Sequence, residues 1–301
     1  MSWILLSCIP PFLWACNNLM DEYLAKSTFA GSGALLIYAS AVFEIFAAAS
    51  FYVFVPHVIE VNLFPAFMMM GLGFLLTSSF LPYIYALQED NAGNAVPIYQ
   101  TIPVFVFILA LVFLGETATF LQAGEALLIV SASIMVGYDF QKKAINKKAV
   151  LLMLLASMII AVFMVLSKFF IVQYSWQIFA FWSWIGSSLG STFLVLSVPS
   201  WRGKALEIAR GKSRFVFFIF LIQVLLQSVA MAVWYKAASV GPSVALVQTI
   251  GGVQPAFILI LSLLAGLFSS SIFPRKALDG PLLFKFVMIS FIILGVYLLS
   301  L

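Results

Sequence analysis

The chain has 301 residues, of which 64% are hydrophobic and only 9% are charged, with a formal net charge of +4. Soluble domains carry about a quarter charged residues, so this composition excludes a water-soluble globule. Long unbroken apolar runs, instead of alternating segments of about ten residues, favour membrane-spanning helices over a β-barrel.

Ten apolar runs, separated by charges, Gly, Pro or Ser, predict ten transmembrane helices. The expected fold class is therefore an all-α membrane protein, multi-pass, in a plasma or bacterial inner membrane. The first run has no basic segment before it and no small-residue cleavage site after it, so we interpret it as a retained span. The runs lie near residues 3–20, 33–55, 64–87, 95–114, 118–138, 147–172, 175–198, 213–238, 242–268 and 281–300.

The ten spans divide into two halves of five, residues 1–140 and 141–301, joined by the lysine-rich linker YDFQKKAINKK. A shift of 150 residues places Asn17 and Asn18 on Ser167 and Lys168, and PVFVFIL from Pro103 resembles PAFILIL near the end of the chain. A repeat of five helices reverses its direction across the membrane. The sequence therefore predicts two inverted repeats, an arrangement typical of many secondary transporters.

The first span ends in polar residues. Asn17 and Asn18 are candidate substrate contacts because amides buried in a helical bundle need hydrogen-bond partners. Lys168 occupies the matching position of the second half. Its side chain either contacts substrate or extends along its span to the membrane surface.

Glu44 lies at the centre of the second span, inside IYASAVFEIFAAASF. A charged side chain at that depth costs about 2.5–3.5 kcal/mol on insertion scales, so intramembrane acids are functional candidates by default. Glu44 is interpreted as a proton carrier or as a counter-charge for a cationic group. The alternative is a neutral glutamic acid that is hydrogen-bonded between helices.

The fourth and ninth spans share a Gln-Thr-Ile sequence beside helix-breaking residues. Proline removes a backbone hydrogen bond and glycine weakens a helix, so both spans are predicted to be broken where they line a cavity. The alternative is a simple packing kink. The candidate substrate contacts here are Tyr99, Gln100, Gln248 and Thr249, and the candidate breaks are Pro97, Pro103, Gly251, Gly252 and Pro255.

A polar and aromatic stripe runs along the eighth span. Gln223, Gln227 and Trp234 recur at spacings of four and seven, which places them on one helix face. Gln227 and Trp234 are candidate substrate contacts, with interhelical hydrogen bonding as the alternative. Glu116, between the fourth and fifth spans, is expected to complement the N-terminus of the following helix.

Lysine and arginine are distributed unevenly over the two sides of this topology. Thirteen of the 15 face the odd-numbered connectors, and only Lys168 and Lys236 face the other side. Because the lysine-rich side is cytoplasmic, this bias predicts that both termini lie outside. The bias also explains the positive net charge, so no nucleic-acid partner is invoked.

The sequence from Val96 to Gly137 resembles the end of a repeat in the drug/metabolite transporter superfamily, in particular its EamA-like branch. Its features are Pro97 and Pro103, then Leu-Gly-Glu at 114–116, then Gly124 and Gly137. PPFLWACNNLM and AVFMVLSKFF resemble the first helix of each family repeat. The resemblance extends over the chain as a plan of five plus five helices, and it implies termini on the cytoplasmic side, against the charge bias. The second half has LAGLFSS where the family often has another Leu-Gly-Glu.

These observations predict a secondary transporter that works by alternating access. The resemblance implies a small polar or amphipathic substrate, such as an amino acid, an amine or a nucleoside. The alternatives are a lipid-handling flippase, a channel or, with less support, a membrane-embedded enzyme. No enzyme motif, metal site or cofactor site is found, and the expected partners are substrate and lipid bilayer. Proton coupling, exchange, and a monomer or homodimer remain open.

Overall fold

A computed structural model of the protein describes residues 3–26, 33–89, 98–137, 146–199, 202–203, 214–268 and 282–299, with only helices and turns among them. The helices, in chain order, are α1 (Trp3–Lys26), α2 (Gly33–Phe54), α3 (Leu63–Ser78), α4 (Phe80–Glu89), α5 (Ile102–Leu114), α6 (Phe120–Gly137), α7 (Lys147–Tyr174), α8 (Trp176–Ser197), α9 (Arg214–Val240), α10 (Val244–Ile250), α11 (Gln254–Phe268) and α12 (Leu282–Leu299).

These helices make ten passes through the bundle. Six continuous segments are long and apolar enough to cross a membrane, and four shorter helices are equally apolar. The prediction of an all-α fold with about ten spans is confirmed. Two predicted spans consist of two helices each. α3 and α4 meet at Ser79, and α10 and α11 are joined by the 3-10 turn Gly251–Val253.

The contacts between the two halves of the chain occur in matched pairs. α1 packs on α9, and its counterpart α7 packs on α3 and α4. α1 also contacts α10 and α11, and α7 correspondingly contacts α5. Three further contacts join counterparts directly: α2 with α8, α5 with α10, and α6 with α12. The two halves therefore share one extensive interface.

The closest approach between the halves is the crossing of α3 and α8. A Cβ atom at Gly73 would overlap the backbone of Ser183, and one at Gly186 would overlap the backbone of Met70. Thr77 and Ser187 reinforce the crossing because their hydroxyl oxygens lie 2.7 Å apart. Small residues let backbones approach closely, which is how membrane helices associate without a hydrophobic driving force.

One end of the bundle is closed by an acid that joins the two halves. Gly115, with a φ of 63°, ends α5 in the left-handed conformation and directs the chain to Glu116. The Glu116 carboxylate accepts hydrogen bonds from the Ser243 hydroxyl at 2.8 Å and from the Val244 N–H at 2.9 Å. Glu116 was expected to complement α6. That expectation is wrong, because it caps α10 instead. We call this the Glu116 end.

Lys168 lies at the same end and is only 9% exposed. Its ammonium group donates to the carbonyls of Ala238, at 2.5 Å, and Gly241, at 3.0 Å, where α9 ends. A cation at a helix C-terminus satisfies carbonyls that have no partner within the helix. Lys168 therefore does not extend to the membrane surface, and that interpretation of it is wrong. It does not line the cavity described below, and its contact with substrate stays a prediction.

Candidate functional site

A cavity of about 180 Å³ lies between the two halves, with walls from α1, α3, α4, α5, α7, α9, α10 and α11. Its lining residues lie in the middle of α1, α7 and α9 and extend toward the end of the bundle at which α5 begins. None of the lining residues belongs to the cluster at the Glu116 end. The cavity is thus an interface feature that both halves build.

Side-chain amides dominate the polar part of the lining. Seven carboxamides contribute, two from α1 and five from the other helices and turns. They are Asn17, Asn18, Gln100, Gln223, Gln227, Gln248 and Gln254. Each amide group offers both donors and an acceptor, and none carries charge. Ser79, Tyr83 and Tyr99 add hydroxyl groups, and no Asp, Glu, Lys, Arg or His occurs among the described lining residues.

Several hydrogen bonds fix the amides in position. The Trp234 indole N–H donates to Gln248 Oε1 at 3.1 Å. Asn17 Nδ2 lies 3.4 Å from Gln227 Oε1, which joins α1 to α9 across the two halves. Ser133 Oγ lies 3.5 Å from Gln100 Oε1. Asn17 Oδ1 is buried and has no hydrogen-bond partner among the described residues.

Four aromatic residues form part of the cavity lining. Tyr83 and Tyr99 lie side by side, with ring centroids 5.3 Å apart, and Trp14 and Phe80 complete the aromatic lining. Of these four, the sequence singled out only Tyr99. A chain with 31 Phe, 10 Tyr and 7 Trp offers no signal that separates lining rings from lipid-facing or core rings.

The structure brings together six of the eight predicted substrate contacts. Asn17, Asn18, Tyr99, Gln100, Gln227 and Gln248 all line the cavity. Trp234 does not line it. This residue is 2% exposed and stands behind Gln248 as its hydrogen-bond donor. Thr249 is buried within α10, where its hydroxyl donates to the Ala245 carbonyl. The assignment of these eight residues to substrate binding remains a prediction.

The predicted helix breaks are milder than expected. Pro103 stands in the first turn of α5, where a missing N–H removes no helical hydrogen bond. The N–H of Gly251 is bonded to the carbonyls of Gln248 and Thr249, so this segment is a tightened turn with no freed backbone donor.

Pro255 stands in the first turn of α11, which begins at Gln254, and is buried. Gly252 packs against Ile129 of α6, so it serves close packing and does not face the cavity. Pro103 and Gly251 do line the cavity. Pro97 lies outside the described residues.

Glu44 lies in a separate polar cluster, away from the cavity lining. The Ser187 hydroxyl hydrogen-bonds its carboxyl, and Oε2 is buried without a hydrogen-bond partner among the described residues. Tyr235 is close enough to Glu44 to interact electrostatically, and the Tyr235 hydroxyl lies 3.3 Å from Ser183 Oγ. α2, α8 and α9 therefore meet around one acid.

The described polar groups around the cavity differ from those of a metal centre. In the described part of the chain, no three His, Cys, Asp or Glu side chains come together as metal ligands would. The polar groups of the cavity are uncharged amides and hydroxyls, which can hold a ligand by hydrogen bonds. A cavity shared by two packed halves is typical of membrane transport proteins.

Comparison with solved structures agrees with the fold described above. Over 99% of its length, the chain resembles a solved structure described as "Crystal structure of protein", with a TM-score of 0.74 and 14% identity. The likeness covers 96% of that chain and establishes the fold alone. No curated protein matches this chain.

The family comparison covers the first half of the chain. Residues 1–138 match the EamA-like transporter family, which is part of the drug/metabolite transporter superfamily. The sequence resemblance is thereby confirmed. This match is to a family of secondary transporters, which are multi-pass integral membrane proteins that move small molecules and are not enzymes.

Proposed function

We propose that this transporter carries a small polar or amphipathic metabolite through the amide-lined cavity by alternating access between two inverted halves. The observation that carries the proposal is the origin of the cavity walls. Asn17 and Gln100 come from the first half, and Gln223, Gln227 and Gln248 come from the second. A ligand held by both halves binds best in a particular arrangement of them, which is what couples binding to their movement.

The helix contacts support the inverted arrangement. Most contacts of a helix with the other half have a counterpart with the roles of the halves exchanged, as for α1 with α9 and α7 with α3 and α4. Such exchange is expected of two units related by an axis in the membrane plane. Two units of this kind can rock against each other around a central site, so that each side of the membrane is reached in turn.

Glu44 is the proposed proton site. It faces Ser187 of α8 and Tyr235 of α9, and the described residues around it supply no cation to balance a carboxylate. Tyr235 connects it to the cavity because Trp234, the next residue along α9, donates to Gln248. Protonation of Glu44 would change the hydrogen bonds of α8 and α9, and α9 carries Gln223 and Gln227 into the cavity.

Transport is tested with purified protein in liposomes. Adenine, tryptophan and putrescine, each radiolabelled, represent neutral, zwitterionic and cationic metabolites. We expect saturable uptake of at least one and acceleration by the same unlabelled compound inside, which a carrier shows and a channel does not. Gln173→Ala is the matched control, because Gln173 is exposed at the end of α7. Non-saturable flux would identify a channel, and scrambling of a fluorescent phospholipid without uptake would identify a flippase.

The role of Glu44 is tested in the same liposomes with an imposed pH gradient. Glu44→Gln keeps the size of the side chain and removes its titration, so we expect loss of uptake driven by the pH gradient. Exchange of substrate at equal pH should persist. Glu44→Asp, which retains an acid, should keep part of the pH response. If Glu44→Gln transports with unchanged pH dependence, the acid is structural.

A further inference from the structure

The charge of the substrate can be inferred from the cavity, on the basis of the transport function proposed above. The polar lining combines seven carboxamides with hydroxyl groups and contains no ionisable carboxylate, ammonium, guanidinium or imidazole in its described part. An ion that leaves water for such a cavity loses hydration without gaining a counter-charge. Neutral ligands lose much less on entry, so the lining discriminates by charge before it discriminates by shape.

The orientation of the Gln248 amide follows from its partner, and the structure places the Asn17 amide beside a second amide. The indole N–H is only a donor, so the atom of Gln248 that it contacts at 3.1 Å must be the carbonyl oxygen. The Nε2 group of Gln248 therefore remains as the donor that this side chain offers to a ligand. Asn17 is oriented in the opposite sense. Its Nδ2 is directed at Gln227 Oε1, and its Oδ1 is buried without a partner among the described residues.

The cavity thus presents a donor and an unpartnered acceptor, both uncharged. Asn17 is 7% exposed, so its Oδ1 is a buried acceptor that could accept a hydrogen bond from a ligand. Buried acceptors without partners are rare in proteins because they forfeit hydration. A ligand that carries a donor and an acceptor of its own satisfies both groups at once. Amide side chains make paired hydrogen bonds of this kind with the edges of nucleobases.

The aromatic residues add a requirement for shape. Trp14, Phe80, Tyr83 and Tyr99 all line the cavity, and the Tyr83 and Tyr99 rings are tilted by 58° to each other. Flat heteroaromatic rings bind more tightly when they stack on such side chains, whichever base the ring belongs to. Flexible aliphatic ligands gain less, because they must lose conformational freedom to lie between rings.

We propose that the substrate is an uncharged planar molecule with neighbouring hydrogen-bond donors and acceptors, the chemistry of a nucleobase or its nucleoside. Within the range of amino acids, amines and nucleosides, this choice excludes the first two. An amino acid brings a carboxylate and an ammonium group, and an amine brings a cation. None of the described lining residues could balance either charge.

The test is equilibrium binding to purified protein in detergent micelles, with adenine and uridine as neutral probes. Tryptophan, tryptamine and indole-3-acetate serve as zwitterionic, cationic and anionic probes of similar ring size. We expect adenine or uridine to bind at least tenfold more tightly than each charged probe. Tighter binding of any charged probe, or no binding of either neutral probe, overturns the assignment.

A substitution at Gln248 tests the contribution of its Nε2 donor to binding. Gln248→Glu keeps the length of the side chain but replaces the Nε2 donor with a second oxygen and adds a negative charge. We expect adenine binding to weaken at least tenfold and tryptamine binding to strengthen. Gln173→Glu, at an exposed position, is the charge-matched control. Unchanged preference in Gln248→Glu would overturn the assignment, and the probe panel on the parent protein decides the question even if this variant does not fold.

Failure of the inference and failure of the proposed function give different results. If tryptophan or tryptamine binds and is taken up by liposomes while adenine and uridine are inert, the protein is a transporter with a charged substrate. If adenine or uridine binds tightly but no liposome accumulates or exchanges it, the substrate class stands and transport fails.

Discussion

The two ends of the bundle join the same two halves by contacts of different strength. At the Glu116 end, a partly buried carboxylate of the first half caps α10 of the second half and binds Ser243, which is 5% exposed. At the opposite end, Glu89 of α4 pairs with Lys148 of α7, and these side chains are 34% and 68% exposed. Exposed ion pairs contribute about 0–1 kcal/mol, whereas hydrogen bonds to charged groups contribute about 1.5–3 kcal/mol.

This difference follows from the sequence of the two halves. Leu-Gly-Glu supplies the acid of the Glu116 end, and the second half has LAGLFSS in the matching place. No carboxylate is available in that segment for the opposite end. The cavity lies on the side of the weaker contact, away from the Glu116 end. We therefore expect the contact of Glu116 with Ser243 and Val244, which we call the clamp, to hold its end closed. The opposite end should open more easily.

The largest expected effect is a difference in cysteine labelling between the two ends of the bundle, because they face opposite sides of the membrane. Gln173 and Lys147 are exposed residues at opposite ends of α7. In a background without Cys8 and Cys16, cysteine at Gln173 should react with an impermeant thiol reagent in intact cells, and cysteine at Lys147 should not. The reason is the charge bias of the sequence. The segments 138–145 and 204–213, which carry part of that bias, lie outside the described residues. Labelling of Lys147→Cys alone would reverse the assignment.

The next effect concerns the cavity and should leave the clamp unaltered. Gln248→Ala removes a hydrogen-bond donor from the lining and leaves the Trp234 indole N–H buried without its acceptor. We expect adenine to bind about tenfold more weakly or worse, since a lost buried partner costs about 1–3 kcal/mol. Gln100→Ala and Trp234→Ala should weaken binding to a similar degree, with normal membrane insertion. Equal affinity in all three variants would place the binding site elsewhere.

The third effect concerns the clamp and should leave the cavity lining in place. Glu116→Gln keeps the shape of the side chain but removes the charge that accepts from Ser243 and Val244. A loss of about 1.5 kcal/mol would open the Glu116 end about tenfold more often. Cysteine at Val247, which is 1% exposed beside this contact, reports the opening by its labelling rate. An unchanged labelling rate would show that the clamp does not hold the halves together.

The smallest effect is expected at the opposite end. Lys148→Ala removes the exposed ion pair with Glu89, and we expect the free energy of unfolding to fall by about 0–1 kcal/mol. High salt should produce a similar change in the parent protein and none in the variant, because salt screens exposed pairs. A loss as large as that of Glu116→Gln, measured in the same detergent, would remove the difference between the two ends.

The ten passes and most of the amides that line the cavity could be predicted from the sequence for a simple reason. Polar residues inside apolar runs need partners, so Asn17, Gln100 and Gln248 could be assigned to one interior before their positions were known. Trp14 and Tyr83 could not, since aromatic residues are equally at home in lipid, in the core and in a cavity. Residues that meet only in three dimensions were also beyond reach, as Glu116 with Val244 shows.

The helix crossing at Gly73 and Gly186 would restrict how the two halves move in the proposed transport cycle. Two backbones in direct contact cannot slide along each other, because Met70 and Phe74 beside the contact would strike α8. The two helices can instead tilt about their contact point, which then acts as a pivot. Movement would then be smallest at the middle of α3 and α8 and would grow with distance from it. Spin labels near this pivot should keep constant separations during turnover. Labels on the ends of α3 and α8 should show the largest changes in distance.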